Sequence, residues 1–336
     1  MTARKFDRLI FSIIGCAVIA TAMASLVSPR AGLVASPRIS FDLDKAEDAH
    51  LYSGFDTEPP AEMETASGMP LSQVKLANDL AKRFQDIGYH LESIKDGDQA
   101  VPRVFLTSLP RDLHAMPEVT LKKTVFFQAM LPLILQENER ILRDRQRLLN
   151  LKAAMVLGDT LPARDRLWIA VLAERYKVKN EDMNLLLRRV DIIPPSLAMA
   201  QAAEESGWGT SRFAKSGNAV YGQWTTADSE GLIPEDRADG MDHKIKAFDN
   251  LEQSVASYMR NLNTHRAYLN LRRERRRLRN AGQAIDGEIL AGSLVKYSER
   301  GSEYVESIRT IINVNGLRGL DDARLVVDNS DDDQSV

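Results

Sequence analysis

From Leu76 to Val190 apolar residues return every three to four positions, the period of a helix face turned toward a core, and no other feature limits the fold as strongly. Leu76, Leu80, Phe84 and Ile87 make the first such stripe. Val125, Phe126, Leu133, Ile134, Ile141, Leu142, Leu148 and Leu149 make a second between Thr120 and Leu151; Pro132 interrupts it, which predicts a kinked or broken helix. Asp165 is placed to cap a third helix carrying Leu167, Trp168, Val171 and Leu172, and Asn180 a fourth carrying Met183, Leu186, Leu187 and Val190. Val101 to Leu109 reads as a short extended piece between Pro102 and Pro110. Residues 71–190 are thus expected to be a helical N-terminal region whose apolar stripes need a neighbouring surface to cover them.

The 336 residues allow two domains, and at most three. Lys and Arg number 44 against 47 Asp and Glu, so the chain lacks the basic excess of a phosphate-tracking protein and no nucleic acid partner is expected. The single cysteine, Cys16, excludes cysteine-ligated zinc, redox pairs and internal disulfides, and five scattered histidines offer no metal cluster. Neither metal nor organic cofactor is expected.

Arg4, Lys5 and Arg8 precede an apolar run from Leu9 to Val27, the order of an export signal. The run is also near the roughly 20 residues that span a bilayer. Residues 1–27 are therefore either a signal peptide, cleaved after Ala22-Met23-Ala24, or an uncleaved anchor that tethers the protein to the inner membrane. Either way the bulk of the chain is expected in the periplasm or cell envelope. Residues 28–70 are rich in proline, acid and small residues and read as a flexible tether. Residues 321–336, rich in aspartate, read as a disordered acidic tail.

The chemistry is concentrated after Pro194-Pro195. Proline is tolerated in a helix's first turn, the Ala- and Leu-rich run from Ser196 to Ser206 is strongly helix-forming, and Gly207 ends it. Glu204 and Glu205 fall in the last turn, where carbonyl dipoles disfavour a carboxylate and raise its pKa. With apolar walls such as Trp208 to desolvate it, such a carboxyl stays protonated near neutrality and suits a general acid at a glycosidic oxygen.

These residues carry a resemblance. Ala200 to Gly209, then Ser211-Arg212-Phe213, then Gly217-Asn218-Ala219-Val220-Tyr221-Gly222, resemble the signature of the glucosaminidase domains that cut bacterial peptidoglycan, among them the flagellar muramidase and several autolysins. Adding Gly222-Gln223-Trp224, Ala238-Asp239-Gly240-Met241, Asn261-Leu262-Asn263-Thr264 and Tyr297-Ser298-Glu299-Arg300-Gly301, the chain is similar to the Bax-type bacterial proteins, unrelated to the apoptosis protein. The resemblance runs from about Val101 to Leu320. It implies a mainly α, lysozyme-like catalytic domain over 191–320, with a small β-lobe and a cleft between the lobes. It also implies peptidoglycan glycan strands as the partner, and a hydrolase that cuts β-1,4 bonds at N-acetylglucosamine. A muramidase or lytic transglycosylase on the same fold, or a non-catalytic glycan-binding envelope protein, are the rival readings.

Carried over residue by residue, the acid is Glu205, immediately before Ser206-Gly207-Trp208-Gly209; Glu204 points about 100° away on the helix. Trp208 lines the sugar cleft or packs the core, and Asn218 and Tyr221 either hold the turn into the β-lobe or touch substrate. Tyr297 matches the family tyrosine implied to face the cleft, whereas Tyr304 and Ile308 are expected in the core. A second carboxylate is expected between Trp224 and Lys246, from Asp228, Glu230, Glu235, Asp236, Asp239 or Asp242, with Glu230 the first choice. Without one, the sugar's N-acetyl group can serve as nucleophile. The arginine-rich run from Arg272 to Arg279 reads as a solvated helix face, or as a contact for anionic envelope polymer or lipid headgroups.

Overall fold

A computed structural model describes residues 75–225, 231–232 and 244–327. The export segment 1–27, the tether 28–70, and the candidate acids Asp228, Glu230, Glu235, Asp236, Asp239 and Asp242 lie outside the described residues, as does the tail beyond residue 327.

The described chain is mainly helical. In order it forms α1 (Ala77–Asp86), α2 (Leu91–Lys95), α3 (Val119–Leu157), α4 (Ala163–Arg175), α5 (Met183–Arg189), α6 (Pro195–Ser206), α7 (Arg212–Gly217), α8 (Leu251–Thr264), α9 (Leu269–Asn280), α10 (Gly287–Ala291) and α11 (Ser302–Val314). Between α7 and α8 stands a small antiparallel sheet of β1 (Trp224–Thr225), β2 (Gly231–Leu232) and β3 (Lys244–Lys246), with β3 in the middle. Ile245 pairs with Trp224 on one side and Leu232 on the other.

α6 is the centre of the molecule. Every residue from Pro195 to Ala203 is buried, and a helix apolar on all sides must be enclosed by others. α3, α10, α11 and the 3₁₀ turn Leu317–Leu320 pack around it. Its alanines at 198, 200, 202 and 203 keep the surface smooth, so these neighbours approach closely. The buried apolar residues form one cluster that runs from Ala77 to Leu325.

α3 runs through Pro132 as one helix, so the proline does not break it. Pro132 sits within a stretch buried continuously from Val125 to Leu135, where packing on every side outweighs one missing N–H bond. Further along, Ile141 and Leu148 are buried whereas Leu142 and Leu149, one residue and about 100° round the helix, are 43% and 40% exposed. The true stripe is narrower than the apolar letters. Two expected caps also move. Pro162 stands at the cap position before α4, with Asp165 in the first turn pairing Arg147 at 2.8 Å. α5 is capped by Asp182, which accepts from the N–H groups of Asn184 and Leu185; Asn180 is a left-handed turn residue instead, at φ 56°.

The tail is folded further than its composition suggests. Asp321 accepts from Ser196 N–H and Oγ at 2.8 Å each and from Gly287 N–H at 3.0 Å, tying the start of α6 to that of α10. Leu325 then bridges Val101.

The arginine run on α9 divides: Arg273, Arg276 and Arg277 form the expected solvated face, and the others turn inward. Arg272 and Arg275 are 5% and 1% exposed. Arg275 donates to the carbonyls of Asp191 (3.0 Å), Ile192 (2.7 Å) and Arg188 (3.2 Å), while Arg272 donates to those of Leu262 and His265. Arg279 grips the Asp191 carboxylate with two bonds, at 2.7 and 2.5 Å, and Arg145 and Arg275 stand 3.7 and 3.6 Å from it. Burial pushes the Asp191 carboxyl up, but Arg275, Arg279 and Arg145 outweigh it and hold the group below its ordinary value. Arg275 and Arg279 fasten the chain entering α6, and Arg272 fastens the end of α8.

Two partly buried carboxyls set a pH dependence. Burial raises Glu137 to about 7 against the pull of Arg140 and Arg260, and raises Asp321 to about 6 despite its bonds from Gly287 and Ser196. Both pKa values rise on folding, so the native state binds more protons than the unfolded chain between about pH 4 and 7, and stability falls as pH rises through that window. Calorimetry should find a higher melting temperature at pH 5 than at pH 8, with Glu137→Gln flattening the slope; a melting temperature rising from pH 5 to 8 would contradict these assignments.

Candidate active site

The last turn of α6 and the turn after it place the candidate acid. Gly207 takes the left-handed conformation that ends the helix. Gly209, at φ 75°, passes so close to the core that a Cβ there would lie 2.5 Å from Leu109 Cδ1, so any other residue is strained and displaces its neighbours. Ser206 Oγ accepts from Gly209 N–H at 2.8 Å and locks the turn.

Glu205 is half-buried. Its Oε1 accepts a hydrogen bond from Tyr304 OH at 2.8 Å. Its Oε2 faces the turn at Gly222, where a Cβ would stand 3.4 Å away. Burial raises its pKa; the Tyr304 bond pulls it down, Glu204 adds to the rise and Arg300 opposes it, with a net upward shift. Glu204 diverges and pairs with the exposed Arg300 at 2.6 Å. The two neighbouring glutamates therefore have different environments.

Behind Glu205, Tyr304 leads into a cluster of tyrosines. Tyr297 stacks on Tyr304 with ring centres 5.3 Å apart, and its hydroxyl donates to the Tyr221 carbonyl at 3.4 Å. Tyr221 is buried and stacks on Tyr258 at 3.8 Å. Gln201, one turn before Glu205 on α6, donates from Nε2 to Tyr304 OH at 2.9 Å and accepts from Tyr258 OH at 2.7 Å. Among the described residues, no three His, Cys, Asp or Glu side chains come together as a metal ion would need.

The expected site residues divide. Glu205 and Tyr297 come together, with the Tyr221 backbone between them. The Tyr221 ring is turned into the core against Tyr258. Trp208 packs edge-on against Phe127 and Phe126 of α3, at 5.2 and 6.1 Å, under Lys123 at 4.5 Å. Asn218 ends α7 in the left-handed region and donates to the carbonyls of Phe248 and Asp249, both at 3.1 Å, stapling α7 to the segment after β3. Glu230 lies outside the described residues.

Tyr304, Gln201 and Tyr258 were not expected here. Tyr304, expected in the core, is 1% exposed, but its hydroxyl donates to Glu205 Oε1. One signal was available: Gln201 stands four residues before Glu205, so the two share a helix face, and a polar side chain in an alanine-rich buried helix needs a partner.

Residues 181–317 match the glucosaminidase family, described as mannosyl-glycoprotein endo-beta-N-acetylglucosaminidase. The chain is 35% identical over 207 residues to "Protein bax" of Escherichia coli K12, covering 59% of this chain and 71% of that protein. Among solved structures it is similar to the catalytic domain of the autolysin Auto from Listeria monocytogenes, at 18% identity and a TM-score of 0.30, over 52% of this chain and 96% of that one.

Proposed function

This chain belongs to the glucosaminidase family, and on that premise we propose that it hydrolyses β-1,4 bonds of peptidoglycan at N-acetylglucosamine, with Glu205 as proton donor. The observation that carries the reading is the Glu205 carboxyl, half-buried and raised in pKa, with one oxygen held by Tyr304 and the other facing the glycine turn. Protonation of the glycosidic oxygen turns the departing sugar into an alcohol, and the remaining positive charge forms on the ring carbon and oxygen. Glu230 is the proposed second carboxylate. Without one there, the acetamido oxygen of the sugar attacks the ring carbon and water opens the product. Tyr297, partly buried and stacked on Tyr304, borders the same space and is proposed to touch substrate.

The proposal includes location. The basic-then-apolar start and the proline-rich segment after it support export to the periplasm or cell envelope. A reporter enzyme active only outside the cytoplasm, fused after Pro70, should work; an intact but silent fusion would remove this part.

Bond specificity is read from products. Purified peptidoglycan digested by the protein, reduced with borohydride and analysed by mass spectrometry, should carry new reduced ends on N-acetylglucosamine. Ends on N-acetylmuramic acid would make it a muramidase, and anhydro ends a transglycosylase.

A further inference from the structure

We propose that Gln201 and Tyr258 are positioning residues that fix the direction of the buried hydrogen bonds at Glu205, so that its acidic proton is carried on Oε2, the oxygen facing Gly222. The inference rests on Glu205 being the proton donor.

The direction follows from counting protons. An ionised carboxylate has none to give, so Tyr304 OH must donate to Glu205 Oε1. A hydroxyl has one proton, so Tyr304 meets Gln201 only as an acceptor, and Gln201 must present Nε2 to it. That turns Gln201 Oε1 toward Tyr258, whose hydroxyl must donate. Gln201, Tyr258 and Tyr304 are all buried, so no water offers a competing partner. Ring stacking holds both hydroxyls in place, Tyr258 against Tyr221 and Tyr304 against Tyr297.

When Glu205 takes up a proton, Oε1 keeps the Tyr304 bond as a carbonyl oxygen and the proton goes to Oε2. That oxygen lies against the turn at Gly222, whose missing side chain leaves the approach open. After the proton leaves, the same Tyr304 bond stabilises the carboxylate that remains. The network serves both protonation states without rearranging. The other charged or titratable groups that act on Glu205 are Glu204 on α6 and Arg300 before α11, with Tyr258, Tyr268 and Tyr297 around it. Of the partners, Tyr304 donates directly and lowers the Glu205 pKa against burial.

The test uses the full chain with Tyr304→Phe, Gln201→Glu and Tyr258→Phe. Tyr304→Phe removes the donor. Gln201→Glu keeps the shape but accepts from both tyrosines, which turns the Tyr304 proton away from Glu205. Carbon-13 NMR titration of the Glu205 carboxyl should move upward in both, and less in Tyr258→Phe. Turnover should fall about 10- to 100-fold, the worth of a hydrogen bond to a charged group, with KM little changed and the alkaline limb of the pH profile moved up. Should Gln201→Glu fail to fold, Tyr304→Phe and Tyr258→Phe decide the matter. An unmoved Glu205 titration in folded Tyr304→Phe, with Glu205→Gln inactive, would overturn this inference alone. Equal digestion by the parent and Glu205→Gln would overturn the reading beneath it, whatever the titration gave.

Discussion

Asp191→Ala is expected to cost about 3–5 kcal/mol of stability, the loss typical of removing one partner of a buried ion pair. Three guanidinium groups converge on this carboxylate, and Arg275 among them is 1% exposed, so it has no solvent to turn to. The loss would loosen more than one pair. Arg275, Arg145 and Asn263 also hold carbonyls between Leu187 and Ile192, so this knot joins α3, α5, α8 and α9 at the entry to α6. Urea unfolding at pH 7 should show the midpoint fall with the slope unchanged. The exposed pair Lys82–Asp86 provides the contrast, since exposed pairs contribute about 0–1 kcal/mol. A loss for Asp191→Ala no larger than that would show that the cluster is not a structural fastening.

Local grammar made α6 legible. Proline at its start, alanine and leucine through it and Gly207 at its end describe the helix that the structure contains, and they put Glu205 in its last turn. The raised pKa is also foreseeable from the helix end and desolvating walls, and of these two burial is the one at work. What escaped the sequence was whatever depends on partners far along the chain. Arg273, Arg276 and Arg277 are the solvated face that an arginine run suggests, but nothing near them announces that the carbonyls of residues 188–192 will be presented to Arg275. Tyr304 was hidden similarly, because its apolar neighbours at helical spacing describe the ring and not the hydroxyl. That Pro132 does not break its helix has a related reason. A proline's cost is local, but the burial that offsets it comes from elements elsewhere in the chain.

Glu205→Gln keeps the size of the side chain and can still accept the Tyr304 bond, yet it has no acidic proton to transfer. It should lower turnover on the order of 10²–10⁴-fold, the usual contribution of a general acid. Glu204→Gln should cost far less, since that carboxylate diverges toward Arg300. Activity of the parent requires protonated Glu205, so it should persist above the titration range of an ordinary glutamate and decline as pH rises through the elevated pKa. The decisive measurement is the rate at which new reducing ends appear in purified peptidoglycan treated with the parent, Glu205→Gln and Glu204→Gln at matched folded concentration. Near-silence of Glu205→Gln alone, beside an active Glu204→Gln, is the predicted result; digestion by Glu205→Gln at the parent's rate would contradict the assignment of Glu205 as the proton donor.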